Sequence, residues 1–517
     1  MKDAASFETK GIMMMNRSLS GSTALALILF CTGAQAQVTP EEVWQSWQAM
    51  STGAGQELAV GSATRNGDTL EVSGVALSMK DATGGAFTAN IDKLNFKDLG
   101  DGTVEVSMSE TYPMTISMPK TDTSGPTDIK ITVSQPGIKI IAGGSADETS
   151  YDFIAPTVTV KLDEVKDETG TVQDVVAEVV MTGTTAKYTV KKTGDTTALD
   201  STFASKSLAV NFSGKDANAS SDGKVSVTFA DLSGASKGNF LGAEIMANMA
   251  TALNSGFTTD ASFNFGAMTL TADVNDASGP TKIGGKATGG GFVLAMDKAR
   301  VNYGSSLKGA SFTLSGAQIP FPEVVLTFAE SAFNVLLPVS KSDTPQDFAF
   351  LTKLVDFTVS DEVWGMIDPG SKLSREPATV ILDAKGTGFW KQDIMDPNVT
   401  MDGAEAPGEL STLDLTQVLV KAAGAEVDGK GALTFDNTDL ATWGGIPAPT
   451  GTIDVSIKGV NTLIDNLIAI GILPEDQAMG ARMMLGMFAK PGAGPDELTS
   501  TLEFKDKGLF ANGQQLR

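Results

Sequence analysis

From Leu70 onward, apolar residues recur at every second position. Leu70-x-Val72, Val75-x-Leu77-x-Met79, Val104-x-Val106-x-Met108, Met114-x-Ile116-x-Met118 and Ile129-x-Ile131-x-Val133 alternate with Ser, Thr, Glu or Lys. Val158-x-Val160-x-Leu162, Leu208-x-Val210-x-Phe212 and Val225-x-Val227-x-Phe229 continue the pattern. Turn-forming residues bound the runs, as at Asn66-Gly67, Gly100-Asp101-Gly102 and Asp222-Gly223. Alternate side chains of a strand point to opposite faces. The pattern therefore predicts a long antiparallel meander, apolar on one face and polar on the other.

Helices interrupt the meander at a few places. Thr39-Pro40-Glu41-Glu42 reads as an N-cap threonine, a proline at the first helical position and a capping-box glutamate. Val43, Trp44, Trp47 and Met50 follow at helical spacing until Gly53 and Gly55, and the two tryptophans read as packing anchors. A second helical stretch is expected from Phe240 to Leu253, between Gly238 and Gly256. Strands resume at Phe263-x-Phe265, Met268-x-Leu270-x-Ala272-x-Val274, Phe292 to Met296 and Phe312-x-Leu314. Between Pro320 and Trp364, punctuated by Pro322, Pro338 and Pro345, helical patches are expected over Phe328–Leu337 and Phe348–Val355. From Leu413 the chain reads as helix or strand, then as strands at Leu433-x-Phe435 and Ile453-x-Val455-x-Ile457. A helical pair follows (Leu463, Leu467, Ile470, then Met479, Met483, Met487, turned at Pro474), and a strand at Leu502-x-Phe504 comes after it. The fold class expected is mainly β (α+β), a long meander with several short packing helices. The expected divisions are 1–36, 37–256, 257–412 and 413–517, with no fixed-period repeat.

The first 36 residues have the form of an export signal. Arg17 precedes the apolar stretch Ala24 to Phe30, and Ala34-Gln35-Ala36 supplies an A-x-A cleavage site before Gln37. Met1, Met13, Met14 and Met15 are all candidate starts, because Asp3 and Glu8 sit oddly in a basic n-region. Phe30 stands where a lipoprotein signal needs a small residue, so Cys31 reads as part of the leader. The longest later apolar run, Val324 to Val339, is broken by Glu330 and Asn334, so no transmembrane helix is expected after cleavage. The expected location is the periplasm.

Charge and composition narrow the chemistry. Without Lys2, Lys10, Arg17, Asp3 and Glu8, the chain carries 35 Lys+Arg against 60 Asp+Glu, a net charge near −25. That balance opposes binding to nucleic acid or to anionic headgroups. There is no histidine, and Cys31 is the only cysteine. A Ser-His-Asp triad, a Cys-His dyad and a zinc site with N/S ligands are thereby excluded. The acidic loops Asp98 to Gly102 and Asp273 to Asp276 do not have EF-hand spacing. Asp361, Glu362 and Asp368 flank Trp364 and could serve a sugar; the structural alternative makes Asp361 an N-cap, Trp364 a buried anchor and Asp368-Pro369-Gly370 a terminating turn. Gly289-Gly290-Gly291 lacks the frame of a phosphate loop, and Asn211-Phe212-Ser213 and Asn398-Val399-Thr400 match glycosylation acceptors. Met79, Met108, Met114 and Met118 on strands, and Met479, Met483, Met484 and Met487 on one helix, suit either core filling or an adaptable apolar surface. An outer-membrane barrel is disfavoured by only four tyrosines and five tryptophans.

Several segments of the C-terminal part resemble a known family. They are Leu354-Val355-Asp356-Phe357, Trp364 with Asp368-Pro369, Arg375-Glu376-Pro377-Ala378-Thr379, Ala422 to Val427, Pro447-x-Pro449-x-Gly451 and Gly508 to Gln514. Together they are similar to the bacterial domain-of-unknown-function family numbered 2125. That family brings no catalytic residues, so the resemblance implies none here. Asn512-Gly513 reads as a terminal turn. More distantly, the long sheet and this turn look similar to AsmA-like envelope proteins, which implies outer-membrane maintenance and lipid passage along a β-groove. The expectation is an exported non-catalytic envelope protein, without cofactor or metal, holding lipid or another hydrophobic ligand on its sheet. A periplasmic scaffold is the alternative. A carboxylate-dependent glycan enzyme, with two carboxyls roughly 5–10 Å apart, is the third.

Overall fold

The computed structural model describes residues 38–53, 55–80, 84–120, 125–145, 148–166, 174–194, 196–215, 221–241, 243–246, 248–399 and 407–517. The export signal expected over residues 1–36 lies outside these. The fold is mostly β, a long antiparallel meander with short helices, as the period of two predicts. The chain forms two compact units. One comprises residues 1–240, 263–285 and 314–322, and the other 241–262, 286–313 and 323–517.

The first unit opens with the helix Pro40–Gly53. Its capping box is formed: Thr39 N donates to Glu42 Oε2 at 2.8 Å and Glu42 N to Thr39 Oγ1 at 3.3 Å. Trp44 and Trp47 are buried and pack on Phe96, with ring centroids 5.6 and 5.3 Å away. Around them lies the buried cluster of Val43, Leu70, Val72, Val75, Leu94, Val104, Val106, Ile140 and Tyr151, the apolar phase of the early strands. Both acidic loops are spent on their own turns. Asp98 Oδ1 accepts from Gly100 N, Asp101 Oδ1 from Thr103 N, and Asp276 Oδ1 from Ser278 N.

Four long strands follow in antiparallel register: Glu148–Lys166, Asp174–Thr193, Thr196–Lys215 and Asp222–Phe240. Pro156, Gly183, Lys206 and Asp231 fall in one row across them. Gly183 (φ 60°) and Asp231 (φ 50°) are left-handed, and the Lys206 side chain lies where a Cβ on Gly183 would go. On one side of this row the buried positions are Thr149, Tyr151, Ala155, Thr184, Val190, Ser205 and Leu232. On the other side the apolar positions are Val158, Val160, Val179, Met181, Leu208, Val210, Val227 and Phe229. The alternation shifts by one residue within every strand, while the pairing register runs unbroken through the row.

In the second unit the strands Val324–Pro338, Gln346–Val359, Ala378–Trp390, Gly408–Ala422, Ala425–Asp436, Ala448–Lys458 and Glu497–Lys505 pair in that order. The helices expected at Phe328–Leu337 and Phe348–Val355 are thus strands. Both runs are apolar without a clear period, and the prolines sit at or outside their ends, where strands tolerate them. The stretch from Leu413 resolves to strand. The helix expected over 240–253 is two short helices, Ala243–Met246 and Met249–Asn254, the second capped by Asn248. The strand expected at Phe292 to Met296 begins earlier, at Gly289, so the three glycines are part of it. The helical pair is present as Val460–Ala469 and Glu475–Phe488, with Pro474 at the second N-cap.

The region around Trp364 differs in detail from expectation. The helix Asp361–Ile367 begins at Asp361 itself, with Ser360 at the N-cap position, and Ser360 Oγ accepts from Val325 N instead of capping. Trp364 is only half-buried, and Asp368 is the fully buried residue. Its Oδ2 accepts from Leu373 N at 2.6 Å, closing a loop in which Ser371 is left-handed. Backbone amides at Lys372 and Leu373 hold the Asp368 carboxyl below its usual range.

Candidate functional site

Reading the second unit's registers across the sheet gives one apolar face. Leu354, Val380, Val420, Val427, Ile457 and Leu498 lie in one row, and Thr352, Leu382, Val418, Gly429, Val455 and Ser500 in the next. Phe350, Ala384, Leu415, Gly431, Ile453 and Leu502 form a third, and Phe348, Gly386, Leu413, Leu433, Gly451 and Phe504 a fourth. The opposite face carries ion pairs such as Lys353–Glu330 at 2.7 Å and Lys458–Glu426 at 3.3 Å.

This face is not packed as a core. Among these residues only Ala384, Gly429, Leu433 and Ser500 are buried, whereas Val380 is 45 % and Val420 44 % exposed. Phe333, on the same side of the neighbouring strand, is 37 % exposed. It touches Phe350 edge-on at 5.7 Å and Tyr303 at 6.3 Å, extending the aromatic lining. Gly386 and Gly431 keep the floor low: a Cβ on Gly386 would meet the Phe348 ring at 2.6 Å, and one on Gly431 the Ile453 side chain at 2.9 Å.

Two structures border the face. At one end the helical pair buries Ile464 and Ala478, and Ser500 Oγ donates to Phe488 O. Asp496 stands in for the missing cap at Gly459, accepting from Asn461 N at 3.1 Å and from Thr462 N at 2.8 Å. At the other end a cleft of about 310 Å³ is lined by Leu337, Phe348, Trp390, Leu410, Leu440 and Pro447, with the Lys391–Glu409 ion pair (3.1 Å) on its wall. The loop of residues 437–447 forms one side of this cleft. It is held by Lys507 on Asp439 (2.7 Å), by Arg517 donating to Thr442 O (2.7 Å) and by the Arg517 guanidinium over Trp443. Lys507 and the Thr442 hydrogen bonds hold the Asp439 carboxyl down at about 2.

The sequence candidates fall elsewhere. Asp361 is paired with Arg375 at 2.8 Å and Asp368 is engaged by its own loop, so neither lines the face. Asn211 accepts from Ser226 Oγ within the sheet, Asn398 donates to Asp396, and Thr400 is outside the described residues. Met79, Met108, Met114 and Met118 are half-buried on strands, while Met479, Met483, Met484 and Met487 point outward. Among the described residues no group of three or more acidic side chains is arranged to hold a metal, and no helix is long and apolar enough to cross a membrane. Of the face, the sequence showed alternation only at Leu433-x-Phe435, Ile453-x-Val455-x-Ile457 and Leu502-x-Phe504. Its openness was not legible, because burial depends on what lies above it.

The fold and this face define a β-rich protein with a one-sided meander whose apolar side stays partly open. Residues 304–514, which hold nearly all of that face, match the family model described as an uncharacterized protein conserved in bacteria (DUF2125). No curated protein matches the chain. Among solved structures, the ferric citrate transporter FecA in its unliganded form aligns over 89 % of this chain and 76 % of its own, at 8 % identity and a TM-score of 0.16. A likeness of that size carries no argument.

Proposed function

We propose that this chain is an exported, non-catalytic envelope protein, periplasmic once residues 1–36 are removed, that holds lipid acyl chains or another hydrophobic ligand on the apolar face of its C-terminal sheet. The observation that carries this reading is the set of large apolar side chains left half-exposed in register across seven paired strands. Exposed apolar area costs about 25 cal/mol per Å² in water, so a contiguous open face favours an apolar occupant. Six strand spacings of about 4.8 Å make the face roughly 29 Å wide, enough for an acyl chain, which spans one leaflet or about half of a bilayer's ~30 Å hydrocarbon core. The strand ladders already satisfy the backbone, so a ligand need supply no hydrogen bonds. The sheet's likeness to AsmA-like proteins belongs to the same proposal.

Native mass spectrometry and lipid extraction of the protein purified from an envelope fraction test it. Bound acyl lipid displaced by detergent is the expected result. A protein that carries no lipid from any preparation, and binds no fluorescent fatty acid, refutes it. The scaffold reading is favoured by a different feature, the exposed methionines of the last helix.

A further inference from the structure

The helix Glu475–Phe488 breaks the rule of amphipathic packing. Ala478, Ala481 and Leu485 face inward, and Arg482 is tied back to Asp465 at 2.5 Å. The outward side should be polar, yet Met479 and Met483 are each 68 % exposed, Met484 60 % and Met487 50 %. Gly480 and Gly486 also lie outward. Neither has left-handed φ, and a Cβ on either would meet nothing within 4 Å. A mid-helix glycine costs about 1 kcal/mol relative to alanine, and nothing among the described residues accounts for either. What glycine permits on an outward helix face is the close approach of a second backbone.

The order of these residues identifies that backbone. Met479-Gly480-x-x-Met483-x-x-Gly486-Met487 reads the same in both directions about Met483. Asp476, Met479, Met483, Gly486 and Lys490 also follow the alternating three- and four-residue steps of a helix-packing seam. Two copies laid antiparallel with a two-fold axis at Met483 bring Met479 onto Met487, Gly480 onto Gly486 and Met483 onto itself. The same register sets Asp476 against Lys490, just past the partner helix's end, so charges complement where the apolar seam stops. An isologous contact requires this self-complementarity; a heterologous one has no use for it.

We infer that the helix Glu475–Phe488 is the contact through which two copies of this chain associate, antiparallel and two-fold symmetric about Met483. One helix per copy places the contact below the standard interface size of roughly 1,600 Å², among the weak, transient contacts. Interaxial distances of about 8–10 Å and a helix radius of about 2.3 Å bring the paired Cα atoms to roughly 3.5–5.5 Å, within disulfide reach.

The test uses the full chain with Cys31→Ser, which removes its only cysteine. Met483→Cys is expected to oxidise to a disulfide-linked dimer. Met479→Cys alone is expected to stay monomeric, because its two copies lie about 12 Å apart along the axis. Mixing Met479→Cys with Met487→Cys is expected to give the cross-linked pair. Sedimentation of the unmodified chain across roughly 1–100 µM is expected to show a monomer–dimer equilibrium. Met483→Lys should weaken it at least tenfold with unchanged circular dichroism. A chain monomeric throughout that range overturns the inference. So does Met479→Cys self-linking as readily as Met483→Cys, or a monomer whose Met483 is shielded from oxidation only when a fatty acid is bound.

Discussion

Val380→Asp is the substitution that best separates an open apolar face from a closed core. Val380 and Val420 face each other in register, each a little under half exposed. Fully burying a valine is worth about 1.5–3 kcal/mol, so what Val380 gains from its partial burial is roughly 1 kcal/mol. Aspartate's poor fit to a strand adds up to about 1 kcal/mol. The carboxylate stays in water and adds no desolvation cost. The expected loss is therefore about 1–2 kcal/mol. Val72, fully buried under the first unit's helix, gives the contrast: Val72→Asp strands a charge in a core and is expected to cost more than about 4 kcal/mol. Urea titration followed by far-ultraviolet circular dichroism measures both, and lipid retention by native mass spectrometry reads the function. Val380→Asp with Val420→Asp should cut retention at least tenfold while the fold persists. A loss for Val380→Asp comparable with that for Val72→Asp would show the face to be a closed core and refute the reasoning.

Three further outcomes are expected. Phe96→Ala removes the ring on which both Trp44 and Trp47 pack and should cost about 3–5 kcal/mol in the first unit, with a red-shifted tryptophan emission; a loss under 1 kcal/mol would mean the cluster is loosely packed. Asp496→Ala removes the stand-in cap of the helix Val460–Ala469. It should cost about 0.5–2 kcal/mol, read as faster hydrogen exchange at residues 460–464; unchanged exchange there would contradict the capping role. The Asp439 carboxyl is held at about 2, below its unfolded value, so its contribution is present above roughly pH 4 and disappears as pH falls through the folded value. Protection of residues 437–447 should hold at pH 4 and drop towards pH 2, and Asp439→Asn should abolish that step; loss already at pH 5 would exclude Asp439 as its source.

What was legible in the sequence was local. The capping box of Thr39 and Glu42 spans four residues, and the Asn512-Gly513 turn, left-handed at both positions, spans two. Strand alternation was readable where polar residues separate the apolar ones, as at Leu433-x-Phe435 and Ile453-x-Val455-x-Ile457. The strands Val324–Pro338 and Gln346–Val359 were misread because Val324-Val325-Leu326 and Phe348-Ala349-Phe350-Leu351 are apolar at consecutive positions, which removes the period that separates strand from helix. Asp368 was placed in a turn correctly, but its burial depends on Leu373 N, five residues on. The shift of phase at Pro156, Gly183, Lys206 and Asp231 was invisible because each strand reads normally on either side of it.

The two units solve the same problem differently, and the difference has a thermodynamic consequence. In the first, the early strands' apolar phase is covered by Trp44 and Trp47. In the second, the rows from Phe333 to Val420 keep their exposure, so that unit forgoes burial that would otherwise stabilise it. A ligand that binds only the folded sheet restores it by linkage, about 2.7 kcal/mol at a hundred times its Kd. Stripping the ligand should therefore lower the stability of the second unit and leave the first unchanged. Hydrogen exchange compared with and without lipid distinguishes the units directly: faster exchange confined to strands between residues 324 and 436 supports the proposed role, and equal loosening around Phe96 contradicts it.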